Sequence, residues 1–273
     1  MDRNFKLIIE YDGGTYFGWQ RQKDPNTIQG TIEQAIQRLT GHHVTLSGSG
    51  RTDAGVHALG QVANFHADTH LAAGDIGRAL NALLPGNIVI LSCEEMPESF
   101  HARFDAVSKR YRYCLLNRPL PPAVGRQYAW HIRKPLDIDA MRNALVHLRG
   151  THDFKAFEGA GSPRAHSVRE VSKTEFFKRD GGRIDFEIEA NGFLRHMVRN
   201  IMGTLIDIGL SKIHPDDLGK IRETADRGKA GITAPPHGLF LVEVNYPPLP
   251  LKHPISTQPA NRLTGKRVNG LTG

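Results

Sequence analysis

One carboxylate stands out among the residues able to do chemistry. Asp53 lies two positions after Arg51 in Gly48-Ser49-Gly50-Arg51-Thr52-Asp53-Ala54-Gly55-Val56-His57-Ala58, a run crowded with small residues. Glycines at 48, 50 and 55 permit positive φ and a close approach of backbone to ligand. A guanidinium in the same loop favours an ionised carboxylate. The residue types suit an anionic acid held ready beside a polyanionic substrate. They equally describe a surface turn with a structural ion pair, since such pairs are common.

Other chemistries lack their residues. There is no Gly-Lys-Ser or Gly-Lys-Thr for a phosphate loop, and Ser49 is not in a G-x-S-x-G elbow. Cys93 and Cys114 are the only cysteines, too few for a disulfide framework or a cysteine-based metal site. His66 and His70 have helical ligand spacing, but their segment is poor in helix signals, so no metal is expected there.

Two further segments carry candidate residues. In Arg110-Tyr111-Arg112-Tyr113, strand alternation sends both tyrosines to one face and both arginines to the other. Such a ring either packs in the core or carries a stacked base, a contact of about 1–3 kcal/mol. The segment 193–209 reads as a helix with an apolar stripe of Leu194, Met197, Val198, Ile201 and Leu205. Arg195 and Arg199, four apart, share its other edge. A guanidinium on so apolar a helix needs an anionic partner, and Asp53 is the natural one for Arg199.

Arg51, Arg21, Arg103 and Arg110 are candidate phosphate contacts, because the planar guanidinium holds phosphate with two hydrogen bonds. Phe100, His101, Ala102, Arg103 and Phe104 mix aromatic and basic groups in a composition suited to RNA, although the phenylalanines also suit a core. Residues 159–167, with Gly161, Arg164 and His166, are read as a mobile substrate loop.

The elements that must position these groups are legible as periods. Residues 5–11 read as a strand ended by Asp12-Gly13-Gly14. Asn26 is expected to cap a helix whose apolar face is Ile28, Ile32, Ala35, Ile36 and Leu39. Strands near 43–47 and 60–66 flank the glycine loop. Asp75 then caps a helix carrying Ile76, Ala79, Leu80 and Leu83, stopped by Pro85-Gly86 before a strand over 88–91. The order is β-α-β-β-α-β. It recurs as a strand over 109–116, a helix opened by Asp137, a hairpin of 168–177 and 183–190, helices over 193–209 and 215–226, and a strand over 239–246. Two split β-α-β units in tandem predict an α+β chain with mainly antiparallel sheets, residues 1–105 forming one half and 106–247 the other. The 248–273 tail is rich in proline and basic residues, has no acids, and is expected to be disordered.

The motifs together resemble those of the TruA-type tRNA pseudouridine synthases. Besides Gly50 to Ala58, the matching blocks are Phe17-Gly18-Trp19-Gln20-Arg21-Gln22, Phe100 to Phe104, Arg110 to Tyr113, Thr151-His152-Asp153-Phe154, Phe193-Leu194 through Met197-Val198-Arg199-Asn200, and Gly238-Leu239-Phe240-Leu241. They fall in the family's order across residues 5–247. The resemblance implies two ferredoxin-like halves joined in one curved sheet with a central RNA-binding cleft. It also implies conversion of uridine to pseudouridine at positions 38–40 of the tRNA anticodon stem-loop, without cofactor or metal. It makes Asp53 the catalytic carboxylate, Arg199 its partner and Tyr111 the ring against the target base, in a homodimer where one tRNA touches both subunits.

Composition agrees with such a partner. The 273 residues, 39% hydrophobic, can hold one large domain or two ordinary ones. A net charge of +7 suits nucleic acid. No apolar run is long enough to cross a bilayer and no N-terminal h-region occurs, so a cytoplasmic protein is expected. Two rivals remain at this level: a non-catalytic RNA-binding protein, which lacks the expected RNP pattern, and a metal-free ribonuclease using His57.

Overall fold

A computed structural model describes residues 2–23, 26–161 and 166–248 of the chain. The expected tail from residue 249 onward, and Arg164 of the expected substrate loop, lie outside the described residues.

Strand β1 (Asp2–Tyr11) turns Phe5, Leu7, Ile9 and Tyr11 into the core. Helix α1 (Ile28–Thr40) packs Ile28, Ile32, Ala35 and Ile36 inward, as its spacing predicts. Thr27, not Asn26, caps it: Thr27 is extended and its Oγ1 accepts the Gly30 N–H at 3.3 Å, while Asn26 Oδ1 accepts from the Thr31 hydroxyl. The strand expected over 43–47 shrinks to a stub, β2 (Ser47–Gly48). Its backbone is satisfied from the helix instead, Glu33 Oε1 accepting the Leu46 N–H at 3.0 Å and Gln29 Nε2 donating to the Leu46 carbonyl at 3.1 Å. Long β3 (His57–Asp68), α2 (Ala73–Leu83) and β4 (Ile88–Met96) follow. Ala72 occupies the N-cap of α2, and Asp75 sits inside the first turn, where its charge favours the helix N-terminus.

The second half runs β5 (Ser108–Asn117), β6 (Trp130–Ile132), α3 (Ile138–Ala144), β7 (Gly150–Asp153), β8 (Val168–Lys178), β9 (Arg183–Ala190), α4 (Met197–Gly209), α5 (Asp217–Glu223) and β10 (Leu239–Asn245). Strands β6 and β7 are too short to carry a readable period. The helix expected from 193 begins only at Met197, because His196 has a left-handed backbone that breaks the spiral. Leu194 is nonetheless buried, continuing the apolar stripe without being helical.

Ten strands form one mixed, mostly antiparallel sheet in the order β4-β1-β3-β10-β5-β9-β8-β7, with β2 on β3 and β6 on β5. Strands β3 and β10 meet at a short parallel seam, Phe240 opposite His57 and Leu241 opposite Ala58. Register then lines up Tyr11, Ala58, Leu241, Tyr111, Ile188 and Thr174 as one row on one face of the sheet. All six are buried. The adjacent row, His57, Phe240, Arg112, Glu187 and Glu175, faces the other way. Tyr111 and Tyr113 therefore share a face opposite Arg110 and Arg112, as alternation predicts.

Candidate active site

The loop between β2 and β3 is fixed by its neighbours rather than by regular structure. Ser49 N–H donates to the Val62 carbonyl at 2.7 Å and its hydroxyl to Gln61 Oε1 at 2.7 Å. Gln61 Nε2 donates in turn to the Gly50 carbonyl at 3.0 Å. Thr52 Oγ1 and the Tyr11 hydroxyl share a bond of 2.7 Å, and the Trp19 N–H donates to the Thr52 carbonyl at 3.1 Å. Two glycines permit this packing. A Cβ on Gly48 would stand 2.6 Å from Trp19 Nε1, and one on Gly18, at φ +89°, would stand 2.7 Å from the Thr52 carbonyl oxygen. Asp53 is thus held from the residue before it, with its side chain 29% exposed.

Helix α4 supplies the partner. Arg199 Nη1 donates to Asp53 Oδ2 at 3.0 Å, and its Nε donates to the Ala234 carbonyl at 2.7 Å. The Ala234 N–H returns a bond to the Arg199 carbonyl at 3.1 Å. The segment 230–234 is a strap laid along α4. Thr233 Oγ1 and Arg227 Nη2 both donate to buried Asn200 Oδ1, at 2.7 and 3.0 Å, and the Gly231 N–H donates to Thr204 Oγ1 at 2.9 Å. A Cβ at Gly203 would fall 1.7 Å from the Ile232 carbonyl oxygen. Arg199, Asn200, Gly203 and Thr204 form one helix face against the strap, and the Ala234 carbonyl there steadies the guanidinium that meets Asp53.

Tyr111 lies edge-on to Phe193, with ring centroids 4.9 Å apart. Burial pushes its phenol well above the ordinary range, with smaller contributions in the same direction from Tyr11 and Asp53. Tyr113 is structural: its hydroxyl donates to the Pro235 carbonyl at 2.7 Å, pinning the end of the strap.

The expected basic contacts divide. Arg51 is exposed and has no ion pair among the described residues. Lys109, which the sequence reading did not single out, runs beside Gly50, where an added Cβ would meet its Cε at 3.4 Å. Arg21 keeps most of its guanidinium in solvent while Nη1 meets buried Glu33 at 3.1 Å. Arg110 is taken up by Glu187 at 3.1 Å and Glu243 at 2.8 Å. Phe100 and Ala102 are core residues, with the Ala102 N–H held by Asn64 Oδ1 at 2.9 Å and its carbonyl by the Tyr246 hydroxyl at 2.6 Å. Arg103 and Phe104 are exposed and His101 partly so; the His101 and Phe104 rings pack 4.3 Å apart.

Two residues have different positions from those the sequence reading gave them. Arg195 precedes α4 and bonds the Ala160 carbonyl at 2.6 Å, so it shares no helix edge with Arg199. His57 is buried on the opposite face from Tyr111, with Nδ1 2.9 Å from Asp12 Oδ1 and its ring stacked on Phe240, which leaves a His57 ribonuclease without an accessible imidazole. His196 was missed altogether; its Nε2 is 3.6 Å from Asp53 Oδ2. Among the described residues no group of three or more His, Cys, Asp or Glu side chains could hold a metal ion, and no helix is long and apolar enough to cross a membrane.

Comparison with known proteins gives one consistent result. A family model described as tRNA pseudouridine synthase matches residues 7–105 and 144–247. Three curated relatives are similar over nearly the same span. The tRNA pseudouridine synthase A of Thermoanaerobacter sp. (strain X514) is 47% identical over 244 residues, 89% of this chain and 100% of its own length. That of Acetivibrio thermocellus is 48% identical over 244 residues, with the same coverage of each chain. The tRNA pseudouridine synthase A 2 of Clostridium tetani is 46% identical over 248 residues, 90% of this chain and 100% of its own.

Proposed function

This chain belongs to the tRNA pseudouridine synthase family, and from that premise we propose that it isomerises uridine to pseudouridine at positions 38–40 of the tRNA anticodon stem-loop. The observation that carries the reading is the 3.0 Å pair between Arg199 and Asp53, residues 146 apart in sequence and on opposite sides of the seam. The same reading treats residues 1–105 and 106–247 as ferredoxin-like halves flanking a cleft. The strand orders β4-β1-β3-β2 and β10-β5-β9-β8 support it. It further places the enzyme in the cytoplasm as a homodimer.

The reaction breaks the N1–C1′ bond, turns the base and rejoins it through C5, with the C5 proton lost and one gained at N1. No net oxidation occurs. Asp53 serves by one of two routes, attacking a carbon of the nucleotide or taking a proton from the sugar. Both use an ionised oxygen, and Arg199 holds the carboxylate in place through the 3.0 Å bond to Oδ2. The target base must first leave its stack at a cost of about a few kcal/mol, part of which stacking on Tyr111 returns. Arg51, with Lys109 beside the same loop, holds the RNA backbone in position.

Mapping pseudouridine by mass in tRNA from cells with and without this protein tests the assignment. Unchanged modification at positions 38–40 on its removal rejects it. Two variants test individual roles. Arg51→Ala is expected to weaken tRNA binding and reduce the slope of log K against log salt by about one; an unaltered slope rules out a phosphate contact. The Tyr111 hydroxyl has no hydrogen bond among the described residues. Tyr111→Phe should therefore keep most of the tRNA affinity, while Tyr111→Ala loses about 1–3 kcal/mol of stacking, as read by titration with unmodified tRNA.

A further inference from the structure

His196 is the side chain at this site to which the chemistry above gives no task. Its backbone is left-handed, with φ 58° and ψ 3°, a conformation that residues bearing a Cβ rarely adopt. Strain of this kind collects where a side chain is held for function. The turn throws the imidazole over the start of α4, where Nε2 lies 3.6 Å from Asp53 Oδ2. Room for the ring depends on residue 159 being glycine, since a Cβ there would stand 2.6 Å from His196 Nδ1 and 2.9 Å from its Cγ. The seat is tied at both ends: the Gly159 N–H donates to the Arg195 carbonyl at 2.8 Å, and the Asn200 N–H to the His196 carbonyl at 2.8 Å. Arg199 and His196 approach the same carboxylate oxygen, Oδ2, and Oδ1 has no hydrogen bond among the described residues.

We propose that His196 is a positioning residue for Asp53: its imidazole closes the Oδ2 side of the carboxylate, so that Oδ1 alone meets the target nucleotide. The inference rests on Asp53 being the reacting acid. The surroundings set the charge of the ring. Burial holds His196 below the ordinary histidine value of 6.5; Asp53 pulls the other way, and the guanidinium groups of Arg199, Arg195 and Arg227 reinforce burial. The imidazole is therefore uncharged at neutral pH and gains its proton only as pH falls below 6.5. Once protonated it pairs with Asp53, competes with Arg199 for Oδ2 and turns the carboxylate out of line. Turnover falls on the acid side for that reason.

The test separates the ring from its backbone. His196→Gly suits a left-handed turn, so it should melt no lower than the wild-type protein. Its kcat on unmodified tRNA is expected to drop about tenfold to a hundredfold, with KM changed less than about twofold. The acid limb of the kcat profile should vanish with it. His196→Gln, whose amide N–H can reach Oδ2, should recover part of kcat without the acid limb. Gly159→Ala alters no polar group yet unseats the ring, and should lower kcat to a similar degree. A His196→Gly or Gly159→Ala protein with wild-type kcat overturns the inference, as does a His196→Gln protein no faster than His196→Gly. Asp53→Asn serves as the control: if it stays active, the underlying assignment of Asp53 fails, whereas an inactive Asp53→Asn beside a fully active His196→Gly removes only the role of His196.

Discussion

Asp53→Asn should reduce pseudouridine formation by more than about a thousandfold, the scale set by losing the one group that attacks or abstracts. The substitution nearly preserves size, and the asparagine carbonyl can still accept the N–H from Arg199, 3.0 Å away in the native pair. The loop backbone is anchored through Ser49, Gly50 and Thr52 and not through the carboxylate. Folding and tRNA affinity are therefore expected to survive. The check is a single-turnover assay on unmodified tRNA beside a binding titration of the same protein. Loss of rate with intact affinity assigns the chemistry to the carboxylate. Loss of both would make Asp53 a structural residue, and substantial residual product would move the chemistry elsewhere.

Gly203→Ala is expected to damage both stability and turnover, although Asp53 is not touched. In an ordinary helix interior this change gains up to about 1 kcal/mol, because alanine is the better helix former. Here the added Cβ would fall 1.7 Å from the Ile232 carbonyl oxygen, so the strap must move. Overpacking of that kind costs about 1–3 kcal/mol and outweighs the propensity gain, lowering Tm by several degrees, roughly 2–4 °C per kcal/mol net at this size. The strap also carries the Ala234 carbonyl that fixes Arg199 Nε at 2.7 Å. A shifted strap thus loosens the guanidinium from Asp53, and kcat should fall about tenfold or more. Thermal melting and tRNA kinetics on the purified variant measure the two effects. An alanine variant as stable and as fast as the parent would show that the strap does not govern Arg199.

The part of this arrangement that could be read in advance is the part written in periods and in charge balance. β9 alternates Ile184, Phe186 and Ile188 against Asp185, Glu187 and Glu189, and the first set is buried as that spacing requires. The link from Arg199 to Asp53 was legible because a guanidinium on an apolar helix needs an anion, whatever the distance along the chain. What was hidden depended on register or on backbone reversal. Arg110 looks available for phosphate until strand pairing sets Glu187 and Glu243 beside it. The stripe through Leu194 looks helical, yet the left-handed His196 starts the helix later and swings a new group onto the carboxylate. The strand expected over 43–47 failed for a different reason: side chains of α1 took the place of a neighbouring strand at Leu46.

β10 comes last in sequence among the described strands and lies in the middle of the sheet, between β3 and β5. During synthesis the nine strands before it are made first, with the place between β3 and β5 still open. A chain that stops before β10 lacks the strand that joins β3 to β5, so the pairing of Asp53 with Arg199 is expected to weaken. Such a chain also leaves two long strand edges open to neighbours. A premature stop shortly before Leu239 would therefore yield aggregate rather than a weakened enzyme.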